Sequence, residues 1–455
     1  MTDAPAPPPP AADVPAPGDV PGLPLDAPGR VAAHDELHAR PVAPITVPAL
    51  MTQLAVLTEG HTVAEETAYL RGLAAAHGLA VGRTDLGLSL SLPFGATLSW
   101  EHHAEYSLYS VLQPVDGEAL RSASHPDLLA LVPLPPDWLA GVPGRTLAAV
   151  HVLLLPSAGE DDAQASAVAQ RLLEPGRLLG SRVKDGSARL YTTYRLGADG
   201  TSRFLVLCDD VTEGRAGRIA ASLLDAERYR MLALLGFPLA RRLVPRLDAL
   251  EERLAELTHA IEDAARDDRA LLEELISLAA QVETEIAAHA GRFGASLAYF
   301  SIVEQRVDDL RGTSVPGLMG VFTFLRRRLL PAMATVTTAG RSMDDLSERV
   351  ARTADLLRTR VEVTTEAQNQ DLLRELRSGQ AVQLRLQETV EGLSIAAIAY
   401  YVVGLIGYAA KGLKAAGVHL DVELIMAGAI PLVLAALWVM RRRIHRHVHG
   451  AAHDG

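Results

Sequence analysis

The residues that could do chemistry in this chain are histidines grouped with acids or arginines, and a single cysteine. In His34-Asp35-Glu36-Leu37-His38-Ala39-Arg40-Pro41 two histidines stand four apart, the spacing at which one helical face can offer two imidazoles to zinc. A helical zinc protease needs its general-base glutamate directly after the first histidine. Asp35 holds that place, and Pro41 stops any helix soon afterwards. The stretch reads as a structural turn, with His38 and Arg40 open to an anion or another ligand. His102 and His103 adjoin Glu101 and Glu105, but successive strand side chains point to opposite faces and cannot readily serve one ion. They are expected to be solvated strand histidines.

At the carboxyl end, Arg443-Ile444-His445-Arg446-His447-Val448-His449 offers imidazoles that bind zinc or nickel. The interleaved arginines favour a basic contact with lipid headgroups, its charge rising below about pH 6.5. Cys208, the only cysteine, excludes an intramolecular disulfide framework and a cysteine-built metal site. Its setting, Phe-Leu-Val-Leu-Cys-Asp-Asp, reads as a small apolar strand residue. No glycine-rich phosphate loop follows a strand, and no Gly-x-Ser-x-Gly elbow appears. No acid–base or nucleophile constellation can be assembled from local motifs, so a non-enzyme without a cofactor is expected.

Composition narrows the partners. A net charge of -12 with 4% aromatic residues argues against general nucleic-acid binding, which wants a basic face and stacking rings. Arginine is concentrated locally: Arg326, Arg327 and Arg328 form the strongest basic patch before the tail. Lipid phosphate, an acidic partner or the acidic helices alongside could meet it, and pairing with those helices is the expected outcome.

The elements that must position these groups fall into five stretches. Residues 1–30 are Pro/Ala-rich, have no basic start or apolar core of a secretory signal, and are expected to be a disordered tail. Residues 31–212 mix helical and strand patterns, an α+β or α/β cytoplasmic region with two possible modules dividing near 115–145. Within it Thr62–His77 predicts a helix, Leu86–Leu92, Thr97–Trp100 and Tyr106–Val111 predict strands, and Thr146–Leu155 predicts another strand. A helix near Ala163–Leu173 and a hairpin pairing Ala188–Leu196 with Ser202–Leu207 follow. Residues 213–390 are almost wholly helical in pattern. Leu247, Leu250, Leu254, Leu257 and Ile261 alternate spacings of three and four, and Leu271, Leu275, Leu278 and Val282 resume the rhythm, which predicts a long stalk paired in a coiled coil. Gly312–Gly317 should turn the chain, after which Met343, Leu346, Val350 and Leu357 return to helical spacing.

Residues 391–440 read as a membrane hairpin. Leu393–Ala410 and Leu424–Met440 are uncharged, each near the lower limit of about 17 to 25 residues needed to cross a bilayer. Arg441, Arg442 and Arg443 follow the second span and open a basic tail, 441–455, that can contact lipid headgroups. Arg374, Arg377 and Arg385 precede the first span, whereas the connection sets Lys411 and Lys414 against Asp421 and Glu423. Both termini should therefore lie in the cytoplasm. Tyr401, Gly404 and Tyr408 share one face of the first span, suited to helix packing or to lining a pore.

With Glu36–Pro41, Arg326–Met333 and Glu391–Leu413 in view, the chain resembles a bacterial family of predicted membrane-anchored proteins of unknown function. The resemblance covers nearly everything after the Pro-rich tail and implies an inner-membrane protein with a cytoplasmic N-terminal portion. The layout of α/β region, helical stalk, two carboxyl-terminal spans and basic tail is also similar to the CorA-type magnesium transporters, which are pentameric channels. Their Gly-Met-Asn signature is absent, and Ala410-Lys411-Gly412 stands near its place, where a lysine would repel a divalent cation. The expected protein is an oligomeric, bilayer-anchored binding or scaffold protein with a cytoplasmic sensing region whose ligand the residues do not name. The alternative is a CorA-like ion-conducting oligomer.

Overall fold

The computed structural model describes residues 27, 29–35, 42–58, 60–84, 87–263, 266–415 and 421–450, without the side chains of 31, 32, 35, 414 and 441–450. These fall into two compact units, Met1–Ala264 with Glu273–Thr353, and Ala265–Leu272 with Ala354–Gly455.

After a short helix α1 (Arg30–Asp35), the first unit is built around two halves of the same plan, strand then helix then antiparallel meander. The first half is β1 (Ala49–Leu57), α2 (Val63–His77), β2 (Val81–Thr84), β3 (Gly87–Ser91), β4 (Thr97–His102) and β5 (Tyr106–Pro114). Short helices α3 (Gly117–Ser122) and α4 (Pro136–Ala140) bridge to the second half. That half is β6 (Arg145–Pro156), α5 (Asp162–Leu172), β7 (Leu179–Val183), β8 (Ala188–Leu196) and β9 (Ser202–Cys208). Both long helices open on a capping box, Thr62 with Glu65 and Asp161 with Gln164, so their first orphan N–H groups are met locally.

The halves are not separate sheets. Strands β1 and β6 pair antiparallel at the centre, and β10 (Thr313–Ser314) adds an edge, giving one sheet of order β10-β7-β8-β9-β6-β1-β5-β4-β3-β2. Strands β6 and β9 run parallel, which needs a crossover between them, and α5 with the β7–β8 hairpin supplies it. On one sheet face Leu50, Leu153, Leu155, Leu205 and Leu207 bury Ala165, Val168 and Leu172 of α5. Val56, Leu90, Leu98, Trp100 and Val111 do the same for Leu70 and Leu73 of α2. Alternation sends Val150, Val152 and Leu154 to the other face, where α6 (Glu213–Leu234) packs on β6 through residues such as Ile219 and Leu223. Gly217 of α6 is required there: a Cβ would stand 2.2 Å from the Ala43 carbonyl oxygen.

Helices α7 (Gly236–Glu262), α8 (Asp268–Leu310) and α9 (Val321–Ala415) follow. Arg246 reaches Glu285 at 3.3 Å and Arg253 reaches Glu274 at 2.8 Å, so α7 and α8 run antiparallel. Arg326 with Asp308 and Ser347 with Glu283 set α8 antiparallel to the start of α9. Leu247, Leu254, Leu257, Leu275, Leu278 and Val282 are buried, as are Met343, Leu346 and Val350. The heptad seam read along the chain is thus covered by neighbouring helices of the same chain. A seven-residue repeat specifies a buried helical face and leaves open which helix covers it. The break at Gly312–Gly317 holds β10, which pairs with β7.

From Ala354 onward α9 belongs to the second unit, with α10 (Val422–Gly450). Leu357 is buried and Arg360 reaches Asp268 at 3.0 Å. Two helices here are long and apolar enough to cross a membrane, the end of α9 and Val422–Met440 of α10.

Candidate functional site

The residues singled out along the chain fall at several places. His38 and Arg40 lie outside the described residues, as do the side chains of Arg441, Arg442 and Arg443. Tyr401 and Tyr408 are 70% and 75% exposed, and a Cβ on Gly404 would meet nothing. The helical hairpin closes on a different face: a Cβ on Gly407 would lie 3.1 Å from Met426 Sδ, and Ala399 and Ala410 are buried. Small residues there let two backbones approach, while the tyrosine face is left outward. Of the basic triplet, Arg326 pairs with an acid, Asp308, and it is the only one of the three to do so among the described residues. Arg327 is exposed, and Arg328 lies over the Phe324 ring, 5.8 Å from its centroid.

The histidine pair requires a correction. His102 and His103 are half-buried, not solvated. His103 stacks on Tyr106, with centroids 4.6 Å apart. His102 joins a cluster that no local motif announces. Glu66 of α2 is buried, and its Oε2 accepts from Trp100 Nε1 at 3.0 Å and from Ser107 Oγ at 2.6 Å. His102 Nδ1 lies 3.3 Å from that oxygen and 3.0 Å from Ser107 Oγ. Serine, histidine and glutamate are the residue types of a hydrolase triad, yet hydroxyl and carboxylate meet the same ring nitrogen. A relay needs them on opposite nitrogens, so this geometry cannot activate Ser107 as a nucleophile. The signal for Glu66 was its place four residues before Leu70 on the apolar stripe of α2, where an acid must find partners.

A second buried cluster crosses the sheet. His151 has no exposure. Its Nδ1 lies 2.8 Å from Thr52 Oγ1, and its Nε2 lies 3.9 Å from Asp199 Oδ2. Burial pushes the imidazole down to about 4, Asp199 opposing and Arg203 assisting, so it is neutral at pH 7. Arg203 is itself buried and donates to Asp199 Oδ2 at 2.8 Å and to Pro126 O at 2.9 Å. The acid stands beyond hydrogen-bond reach of the ring, and the cluster acts as a polar bridge between strands.

Near the end of β6, buried Arg189 donates to Glu160 O at 2.8 Å, Ser157 Oγ at 2.7 Å and Asp209 Oδ1 at 3.1 Å. Burial raises the Glu160 carboxyl. Hydrogen bonds from Arg121, Ser157 and the Ala158 N–H outweigh it and hold the group down to about 2. A polar cleft of about 880 Å³ opens beside it, lined among others by Arg121, Ser124, His125, Gln164 and Arg171. An apolar cleft of about 360 Å³ lies at the β3–β4 turn, with Phe94 at its lip. Cys208 closes β9, and burial, with Asp209 adding, pushes its thiol up to about 12, where it is inert. Among the described residues no group of three or more His, Cys, Asp or Glu could hold a metal ion.

No curated protein and no solved structure matches this chain. Residues 26–448 match a family model described as protein of unknown function, DUF3422. A match over nearly the whole length covers the sheet, the helical region and both apolar helices, and the chain belongs to the DUF3422 family.

Proposed function

We propose that this protein is an oligomeric, membrane-anchored binding or scaffold protein of the bacterial inner membrane, its sheet region serving as a cytoplasmic sensor. The observation that carries the reading lies on α9. Leu372, Leu376, Leu386, Val390 and Leu393 keep heptad spacing into the first apolar span, and each is 57–74% exposed. Such a stripe on a single helix is unfavourable in water, and a second copy of the same helix covers it. Arg374, Arg377 and Arg385 before the first span and the arginines after the second favour cytoplasmic flanks.

Native mass measurement of the full chain in detergent tests this. A closed oligomer is expected, and replacing Leu376 and Leu386 by glutamate should return monomers. A wild-type monomer overturns the oligomeric reading. Conduction is the second reading, favoured by the outward Tyr401–Tyr408 face, which could surround an axis in a ring of copies. Lys411 opposes divalent cations: its Nζ sits 5.9 Å from the Tyr408 ring centroid. Reconstituted vesicles showing ion flux would favour the pore over the scaffold.

A further inference from the structure

The exposed stripe of α9 is ordered in charge as well as in apolar side chains. Counted as a heptad with Leu376 at position a, Val390 also falls at a, and Leu372, Leu386 and Leu393 fall at d. The helix is continuous from Val321 to Ala415 and its internal proline, Pro331, lies well upstream, so the count carries through without a skip. Charge obeys the same count. Arg374, Arg377, Arg385, Glu388 and Glu391 fall at the outer positions b, c and f, and Glu375 is the one charge at e or g within 372–393. Leu373 at e and Val382 at g, both more than half exposed, widen the stripe, and Leu384 at b is the large apolar side chain outside it.

Two residues interrupt the seam. Gln383 occupies an a position and Gly379 the d position before it; both are exposed, and a Cβ on Gly379 would meet nothing. Leucine at either place would bury more apolar surface, so the amide answers a requirement other than stability. A polar residue at a single a position selects copy number, because only some arrangements bring its hydrogen-bonding groups together. An amide carries both donor and acceptor, so it is complementary to another copy of itself.

What covers the stripe follows from where the helix goes. The count passes directly into the first apolar span, with Ala397 and Gly404 at a, and a Cβ on Gly404 would meet nothing. A soluble partner could cover 372–390 but cannot follow the seam into lipid, whereas another copy held by the same span can. Copies inserted with one orientation meet parallel and at equal height, so identical residues face each other. We propose that the partner on this face is further copies of the same chain, parallel and in register, with the Gln383 side chains hydrogen-bonded to one another at the axis and setting the number of copies. This rests on the oligomeric reading above and adds to it the orientation, the register and the residue that counts.

Leu376 and Val390 stand seven residues to either side of Gln383. In register each meets its own counterpart, and the two levels lie about 21 Å apart. In an antiparallel pair centred on Gln383, Leu376 would instead meet Val390. The test uses the full chain in membranes, in a Cys208→Ser background, oxidised with copper phenanthroline. Leu376→Cys and Val390→Cys should each give disulfide-linked chains, Glu388→Cys should not, and the first two variants, co-expressed with different tags, should give no mixed product. Native mass in detergent should find one copy number in the wild type and several in Gln383→Leu. A mixed product overturns the parallel register, as does linkage through Glu388→Cys equal to that through Leu376→Cys. A single unchanged copy number in Gln383→Leu overturns the role of the glutamine. A monomeric wild type overturns oligomerisation itself, and native mass so distinguishes that failure from an oligomer with a different register.

Discussion

Thr52 and His151 face each other directly across the β1–β6 pair, Oγ1 to Nδ1 at 2.8 Å, in the strand register that joins the two halves of the sheet. The unfolded chain takes up this proton near pH 6.5, the folded one only near 4. Stability should therefore fall as pH drops from about 6.5 toward 4, by about 3 kcal/mol in total. His151→Gln should flatten that part of the profile. Urea midpoints at pH 7 and pH 4.5 for both proteins check it, and equal slopes would count against the buried neutral histidine.

Glu66 holds Trp100 and Ser107 through one oxygen. Replacing it by leucine strands two buried donors and should cost about 3 kcal/mol, whereas glutamine, which keeps one acceptor oxygen, should cost less. Denaturant unfolding of the two variants against wild type measures the difference.

Two glycines should respond oppositely to alanine. At Gly217 the new Cβ would meet the Ala43 oxygen at 2.2 Å, and the clash should destabilise by about 2 kcal/mol or more. Gly72 lies inside α2 with nothing within 4 Å of the added carbon. There alanine should stabilise by about 0.5–1 kcal/mol through helix propensity. Thermal unfolding of the pair reads both signs at once.

Cys208 should resist iodoacetamide at pH 8 in the folded protein, its thiol being pushed up to about 12, and react promptly in denaturant. As the only cysteine, it makes the labelling stoichiometry unambiguous. Rapid native labelling would contradict its burial at the end of β9.

The proposed orientation predicts that, in a Cys208→Ser background, Gly412→Cys is labelled from outside intact spheroplasts by a membrane-impermeant maleimide. Gly450→Cys should be labelled only after lysis. The reverse pattern would invert the topology.

The sequence by itself determined what depends on local pattern. Val63–His77 is legible because Thr62 and Glu65 form a capping box and Gly78 takes the left-handed C-cap. The β8–β9 hairpin is legible from its two apolar runs around Gly197–Gly200. The apolar helices are legible because uncharged stretches of that length favour lipid over water. Strand β1 was not, because Thr52 and Gln53 place polar groups on both faces of a largely buried strand, where His151, Ser110 and Arg228 meet them. Only the tertiary structure decided those partners, since a hydrogen bond between residues 99 apart leaves no periodic trace. It also placed the seam of α7 and α8 inside one chain and joined both halves in one sheet. Helix, turn and span follow from interactions between near neighbours. Pairing across the fold follows from which buried polar group finds which donor, and that is settled only when the whole chain packs.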